Sequence, residues 1–233
     1  MAHSSEPDLL RLENVSRVYR QGEQTVHALR EVDLTIRRGD LVAIAGPSGS
    51  GKTTLLNVSC GIDHPTRGCV RLQGIDLAQR SRKQLTRLRL ERVGFIFQAN
   101  NLLPVLTVEE NAEFILLLRG VPRRQRRKKV RAILEEVGLG GLEDRKPDQL
   151  SGGQQQRVAV ARAVVAEPPL ILADEPTANL DSRTALSLLD LMERLNRENG
   201  TTFIFSTHDP RVMERARRTI RLVDGEVDAD ERR

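Results

Sequence analysis

Near the start of the chain Leu10 and Leu12 alternate with polar neighbours, and Val32, Leu34 and Ile36 do the same. That period of two belongs to strands with one buried face. Val70 and Leu72 repeat it ahead of Gly74, so these pieces predict a small antiparallel sheet. Four other runs are apolar throughout: LVAIA (41–45), VGFIF (93–97), LILA (170–173) and TFIF (202–205). Continuous runs of this kind fit strands of a parallel sheet covered on both faces. Each ends in polar, chemically useful residues, and ligands of open α/β sheets bind outside the carboxyl ends of the strands.

The texture changes between the second and third of those runs. Residues 108–118 are mostly helix-forming, and Val130, Ile133, Leu134 and Val137 follow the i, i+3, i+4, i+7 rule of an amphipathic helix. The stretch 99–160 therefore reads as a helical insertion into a core made of residues 8–98 and 161–228. Helix resumes over 183–199, with Gly200 as its stop, and Asp224-Gly225 in RLVDGEV suits a two-residue hairpin turn. No internal repeat and no low-complexity linker interrupts the pattern.

A chain of 233 residues can bury a sizeable core, and one folding unit is expected. With 39% hydrophobic and 30% charged residues the composition is that of a globular protein and argues against disorder. No run approaches the about 18 consecutive apolar residues of a membrane span. MAHSSEPDLL lacks the basic-then-apolar layout of a signal peptide, so the chain is expected in the cytosol. Cys60 and Cys69 match no metal spacing and read as small core hydrophobes.

Charge is uneven. The net value is +5, and residues 119–131, RGVPRRQRRKKVR, carry eight basic side chains and no acid. The plainest reading is a solvated helix face; contact with anionic lipid headgroups is the alternative. Nucleic acid is not an expected partner, because one Tyr and no Trp leave little for bases to stack on.

GPSGSGKT, residues 46–53, fits G-x-x-x-x-G-K-[ST] and directly follows the strand LVAIA. The backbone N–H groups of Gly46, Pro47, Ser48, Gly49, Ser50, Gly51, Lys52, Thr53 and Thr54 (proline excepted) form a candidate phosphate cradle. Lys52 would reach the β and γ oxygens of ATP, and the Thr53 hydroxyl would bind Mg²⁺. LILADEP sets two carboxylates at the end of another strand: Asp174 suits the magnesium, Glu175 the attacking water. Gln98 follows VGFIF and His208 follows TFIFST, so both are delivered to the same sheet edge, where each can meet a γ-phosphate or its water; Gln98 is also a candidate for the metal. Tyr19, in the antiparallel region, offers a ring for a purine.

LSGGQQQR, residues 150–157, poses a different problem. Gly152 and Gly153 stand at a helix start although each costs about 1 kcal/mol against alanine inside a helix. Ser151 is a good N-cap, and glycines beside it let an anion approach unpaired backbone N–H groups. A second phosphate site beside an existing one is redundant unless it faces another nucleotide. The expectation is a head-to-tail pair of identical chains in which Ser151, Gly152, Gly153 and Gln154 close over the partner's phosphate loop.

With these motifs in hand the chain resembles the nucleotide-binding subunits of ABC transporters: LSGGQ after a helical insertion, GPSGSGKT, Gln98, LILADEP, ANLD (178–181) and His208 stand in the order of that family. The likeness spans residues 9–227. It implies an α/β P-loop NTPase core with a mostly parallel sheet, an N-terminal antiparallel β subdomain and an inserted α-helical subdomain. It also implies that Tyr19 stacks the adenine, that Glu175 is the catalytic base, and that Asp181 lies in a loop crossing the dimer interface. A groove beside Gln98 would grip a cytoplasmic helix of a membrane permease, placing the chain peripherally on the cytoplasmic face of the inner membrane. VYRQGEQTVHALREVDLTI, FQANNLLPVLTVEENAEF and DEPTANLDS are similar to the branch serving lipoprotein release and macrolide export, although Ala178 stands where glycine is usual. The alternative is a relative of the cell-division pair, which transmits force and moves no substrate.

Overall fold

The computed structural model describes residues 8–22 and 24–233. Residues 1–7 of the stretch read for targeting lie outside them. Two sheets organise the chain. Strands β1 (Leu10–Gln21), β2 (Gln24–Ile36), β4 (Arg67–Leu72) and β5 (Ile75–Asp76) form an antiparallel sheet in the order β2-β1-β4-β5. Leu10 faces Ile36 and Leu12 faces Leu34 across the first pair, which aligns the apolar alternation of both strands on one buried side.

The second sheet has the order β10-β9-β3-β8-β7-β6, with β3 (Leu41–Ala45), β6 (Val93–Ile96), β7 (Leu170–Asp174), β8 (Thr202–Thr207), β9 (Arg218–Val223) and β10 (Glu226–Arg232). All its pairings are parallel except β9 with β10, which turn on Asp224 and Gly225 at positive φ. The reason for continuous apolar runs is visible in β3 and β7: Leu41, Ile171 and Ala173 enter one buried cluster, Val42, Ile44, Leu170 and Leu172 the other. The first cluster is shared with the helices that follow β6; the second lies between this sheet and the antiparallel one, around α1 (Lys52–Ser59) and α2 (Arg82–Arg92).

Between β6 and β7 the chain is helical: α3 (Val108–Leu118), α4 (Arg123–Glu136), a 3-10 turn (Pro147–Gln149) and α5 (Gly152–Val164). Helix α5 runs unbroken through residue 160, where the helical segment was expected to end, and carries the chain back to the sheet. After β7 come α6 (Ser182–Asn199), stopped by Gly200 at φ 64, and the short α7 (Pro210–Arg215). The basic run lies on α4. Part of it is neutralised within the chain, Arg126 on Glu113, Arg127 on Glu109 and Lys129 on Glu167. Arg123, Arg124, Lys128 and Arg131 are exposed and make no ion pair among the described residues.

Two sequence expectations need correction. VGFIF is a strand only as far as Ile96; Phe97 leaves it and starts the loop that carries Gln98. Cys60 is a buried core residue whose thiol is pushed up to about 11 by burial, but Cys69 is only half-buried, because it sits on β4 opposite Glu13 and near Arg71 and Asp76 rather than in the core.

Candidate functional site

The loop 46–51 between β3 and α1 owes its path to close backbone approaches. Gly51 has φ 102, and a Cβ there would stand 2.3 Å from the carbonyl oxygen of Ala28 on β2. A Cβ on Gly46 would stand 2.1 Å from the carbonyl oxygen of Leu222 on β9. The strands on either side thus press the loop into a tight turn, and only glycine fits. Its N–H groups open at the start of α1, where backbone donors lack helical partners. Lys52 is buried and folds back across the loop, donating from Nζ to the carbonyl oxygens of Gly46 and Pro47 at 2.8 Å each.

Opposite this loop stands the end of β7. The Thr53 hydroxyl donates to Asp174 at 3.0 Å, and the Ser206 hydroxyl from the neighbouring strand β8 also donates to Asp174. Glu175, one residue further, takes a left-handed backbone at φ 46, a conformation costing about 1–2 kcal/mol for a residue with a Cβ. Its N–H is held by the Ser206 carbonyl at 3.0 Å, and its carboxylate swings away from the strand toward His208. Oε1 of Glu175 lies 2.8 Å from Nδ1 of His208, within hydrogen-bond reach. Oε2 of Glu175 is buried and has no protein partner among the described residues.

A cavity of about 690 Å³ gathers these groups. Tyr19, Pro47, Ser48, Gly49, Gly51, Lys52, Thr53, Thr54, Gln98, Asp174, Glu175 and His208 all line it, drawn from both sheets. Ser50 is a buried member of the same loop whose carbonyl accepts from Gly225 N–H. Thr53 and Asp174 present hard oxygen donors side by side, the chemistry that suits a small divalent cation completing its shell with water and phosphate oxygens.

Residues 151–154 do not reach this cavity. Ser151 and Gln154 form a capping box at the start of α5: the Ser151 hydroxyl accepts from Gln154 N–H at 3.3 Å, and the Gln154 side chain accepts from Ser151 N–H at 2.9 Å. The two glycines differ. A Cβ on Gly152 would meet nothing within 4 Å, whereas one on Gly153 would stand 2.4 Å from Cγ2 of Thr184 on α6. The same Thr184 donates its hydroxyl to Asp181, which caps α6 by accepting from the N–H groups of Arg183 and Thr184. These bonds, the Thr184 hydroxyl first, hold the Asp181 carboxyl below the usual aspartate range.

Sequence reading missed three supports of the site. Arg162 on α5 donates to the carbonyls of Asn100 and Asn101, fixing the loop after Gln98, and burial lowers its pKa. Asn179 donates to the Gln98 carbonyl at 3.1 Å, tying ANLD to that loop. Asp209 caps α7, pairs with Arg211 and accepts from Thr177 at 3.4 Å; the Arg211 contact lowers its pKa. Beside the same loop an apolar groove of about 390 Å³ opens between β6 and α3, lined by Phe95, Phe97, Leu103, Phe114 and Ile115 with Arg162.

Comparison with known proteins matches residues 29–178 to the family described as ABC transporter. The chain belongs to the ABC transporter family. It is an ATPase of that family, with the fold of its ATP-binding cassettes. An uncharacterised ABC transporter ATP-binding protein of Methanocaldococcus jannaschii is 45% identical over 230 residues, covering 96% of this chain and 97% of that protein. The lipoprotein-releasing system ATP-binding protein LolD of Bordetella pertussis is 42% identical over 221 residues, covering 95% of this chain and 96% of its own length. The macrolide export ATP-binding/permease protein MacB 1/2 of Paracoccus denitrificans is 46% identical over 232 residues; this ABC cassette matches it along its whole length but spans only 34% of it. Among solved structures, a dimeric post-hydrolysis state of the archaeal cassette bound to ADP and Pi superimposes with a TM-score of 0.89 at 43% identity, covering 96% of this chain and 98% of that one. The likeness to LolD and MacB places the cassette with the branch suggested by its sequence.

Proposed function

We propose that two copies of this cassette close over two ATP molecules and that hydrolysis reopens them, driving a membrane permease of the lipoprotein-release or macrolide-export type from the cytoplasmic face. One observation carries the reading: the phosphate loop and both carboxylates line a single cavity, while Ser151 and the open face of Gly152 lie outside it in the same chain. A second copy turned by a two-fold axis supplies what one copy lacks. The ADP- and Pi-bound dimer of the archaeal relative supports that geometry.

In this reading the loop 46–54 holds the phosphates through backbone N–H groups, and Lys52 exchanges its carbonyl partners for the β and γ oxygens. Thr53, Asp174 and Gln98 would hold Mg²⁺, which when bound supplies positive charge against the phosphate oxygens. Glu175 takes the proton of the attacking water on its unpartnered Oε2 as the γ-phosphoryl group leaves ADP, while His208 fixes the other oxygen. Tyr19 stacks the adenine. Asp181 keeps the 178–181 loop shaped for the partner chain. Residues 99–160 form a helical lever, and the groove between it and β6, lined by Phe95, Phe97 and Phe114, receives an apolar helix of the permease.

Glu175→Gln is expected to keep ATP affinity while turnover falls by about 10² to 10⁴, the contribution of a general base. In the unaltered cassette, activity should rise more steeply than linearly with protein concentration. Near-normal turnover in the variant, or strictly linear dependence, would overturn the scheme. For the groove, Phe114→Glu should release the cassette from its own membranes without changing turnover of the free chain; retained membrane association would remove the groove from it.

A further inference from the structure

Tyr19 is the ring that lines the nucleotide cavity, and an aromatic side chain at a strand end normally has freedom to rotate about χ2. Here it has little. The Tyr19 hydroxyl donates to Oδ2 of Asp63 at 2.5 Å. Arg17, two residues back on β1 and so on the same face of the strand, donates from Nε to Oδ2 of Asp63 at 3.0 Å and lies 2.8 Å from Oδ1 through its terminal nitrogen. The same guanidinium sits 4.5 Å from the centroid of the Tyr19 ring. All three groups are partly buried, with the Arg17 side chain 23% and the Asp63 side chain 22% exposed, so the contacts are shielded from solvent screening.

We propose that Arg17 and Asp63 are positioning residues for nucleotide recognition: they clamp Tyr19 so that one ring face is taken by the guanidinium and the other is held ready for the base of a nucleoside triphosphate. The inference rests on the reading of Tyr19 as the base platform. Its physical basis is the cost of ordering. A free ring loses rotamer freedom when a base lands on it, and a ring already fixed by a charged pair loses none. Arg17 can serve both contacts because a guanidinium stacks through its plane and forks onto a carboxylate through its edge.

Asp63 also joins the two ends of the ligand. It lies just beyond α1, which begins where the phosphate loop ends, and its N–H is anchored to the Asn57 carbonyl of that helix at 3.2 Å. The base platform on β1 is therefore pinned to the far end of the helix that begins at the phosphates.

The test separates the base from the phosphates. Titration of ATP and of inorganic triphosphate into Tyr19→Phe, Asp63→Asn and Arg17→Met, with Tyr19→Ala beside them, reads both affinities. The three clamp variants are expected to bind ATP about threefold to tenfold more weakly, with triphosphate affinity unchanged, the scale of a lost cation–π contact or hydrogen bond. Tyr19→Ala should lose at least as much ATP affinity as any of them. If Tyr19→Ala is weakened for ATP alone while the clamp variants match the unaltered chain, the clamp is wrong and the platform stands. If Tyr19→Ala binds ATP normally, the platform reading fails and takes the clamp with it. Equal losses for both ligands would mean the triad only supports the fold, which also overturns the proposal.

Discussion

Thr184 touches two loops at once: its methyl group closes on Gly153 and its hydroxyl on Asp181. The serine-glycine turn at the start of α5 and the ANLD loop are thereby packed on one side chain of α6. Gly153 is small for the benefit of its own chain, and Gly152 alone is left with an open face.

That difference predicts opposite outcomes for two similar substitutions. Gly153→Ala should lower the unfolding free energy by about 1–3 kcal/mol, since the added methyl overpacks against a stiff β-branched residue. Gly152→Ala should leave stability unchanged or raise it by up to about 1 kcal/mol. Denaturant midpoints measure both, and adding Thr184→Ser to the first variant should restore part of the loss. A Gly153→Ala protein as stable as the parent would show that the packing is not the reason for the glycine.

Arg162 fixes the loop after Gln98 by its bonds to two carbonyls, where Asn100 and Asn101 hold consecutive left-handed conformations at φ 55 and φ 48. Arg162→Met should free that loop more than it weakens the fold, because removing a desolvated cation offsets part of the lost bonding. Amide hydrogen exchange over 98–103 should report a local opening free energy lower by about 1.5–3 kcal/mol. Unchanged protection there would separate Arg162 from the loop's shape.

Arg218 on β9 is 7% exposed and forks onto Asp230 of β10 with bonds of 2.7 and 2.6 Å, while also donating to the Thr35 carbonyl at 2.6 Å. The guanidinium holds the Asp230 carboxyl below the ordinary aspartate value of 3.8. A depressed carboxylate contributes stability that is fully present above its unfolded value and disappears as pH falls through the folded one. The pair should therefore stabilise the chain at neutral pH and lose its effect below 3.8. With Asp230 partly exposed, about 1–2 kcal/mol is expected. Asp230→Asn should cost that amount at pH 7 and almost nothing at the acid end; a loss independent of pH would assign the effect to packing.

Much of this is legible in the amino-acid sequence. The uninterrupted apolar runs identify both-face-buried strands because each face of β3 and β7 feeds a different cluster, and the motifs at their ends locate the cavity because parallel strands all finish on one edge. What the sequence concealed depends on contacts between distant segments. Helix α2 has only Leu85 and Leu88 buried, too little periodicity to stand out among its charges. Asp63 and Arg17 look like ordinary surface charges until the turn after α1 meets β1. Gly153 pointed correctly to a close approach, but the approaching group is Thr184 of the same chain. Its neighbour Gly152, where a Cβ would meet nothing within 4 Å, could be told apart only with both helices in place.

The hairpin of β9 and β10 reaches further than its place at the sheet edge suggests. Leu222 forms the wall behind Gly46, and Gly225 bonds both Ser50 and Arg30. During synthesis, a ribosome-bound chain that has released the whole phosphate motif but not yet residues 218–225 lacks the strand against which that motif is moulded. The phosphate loop thus gains its final shape late in translation, although its own residues are made early.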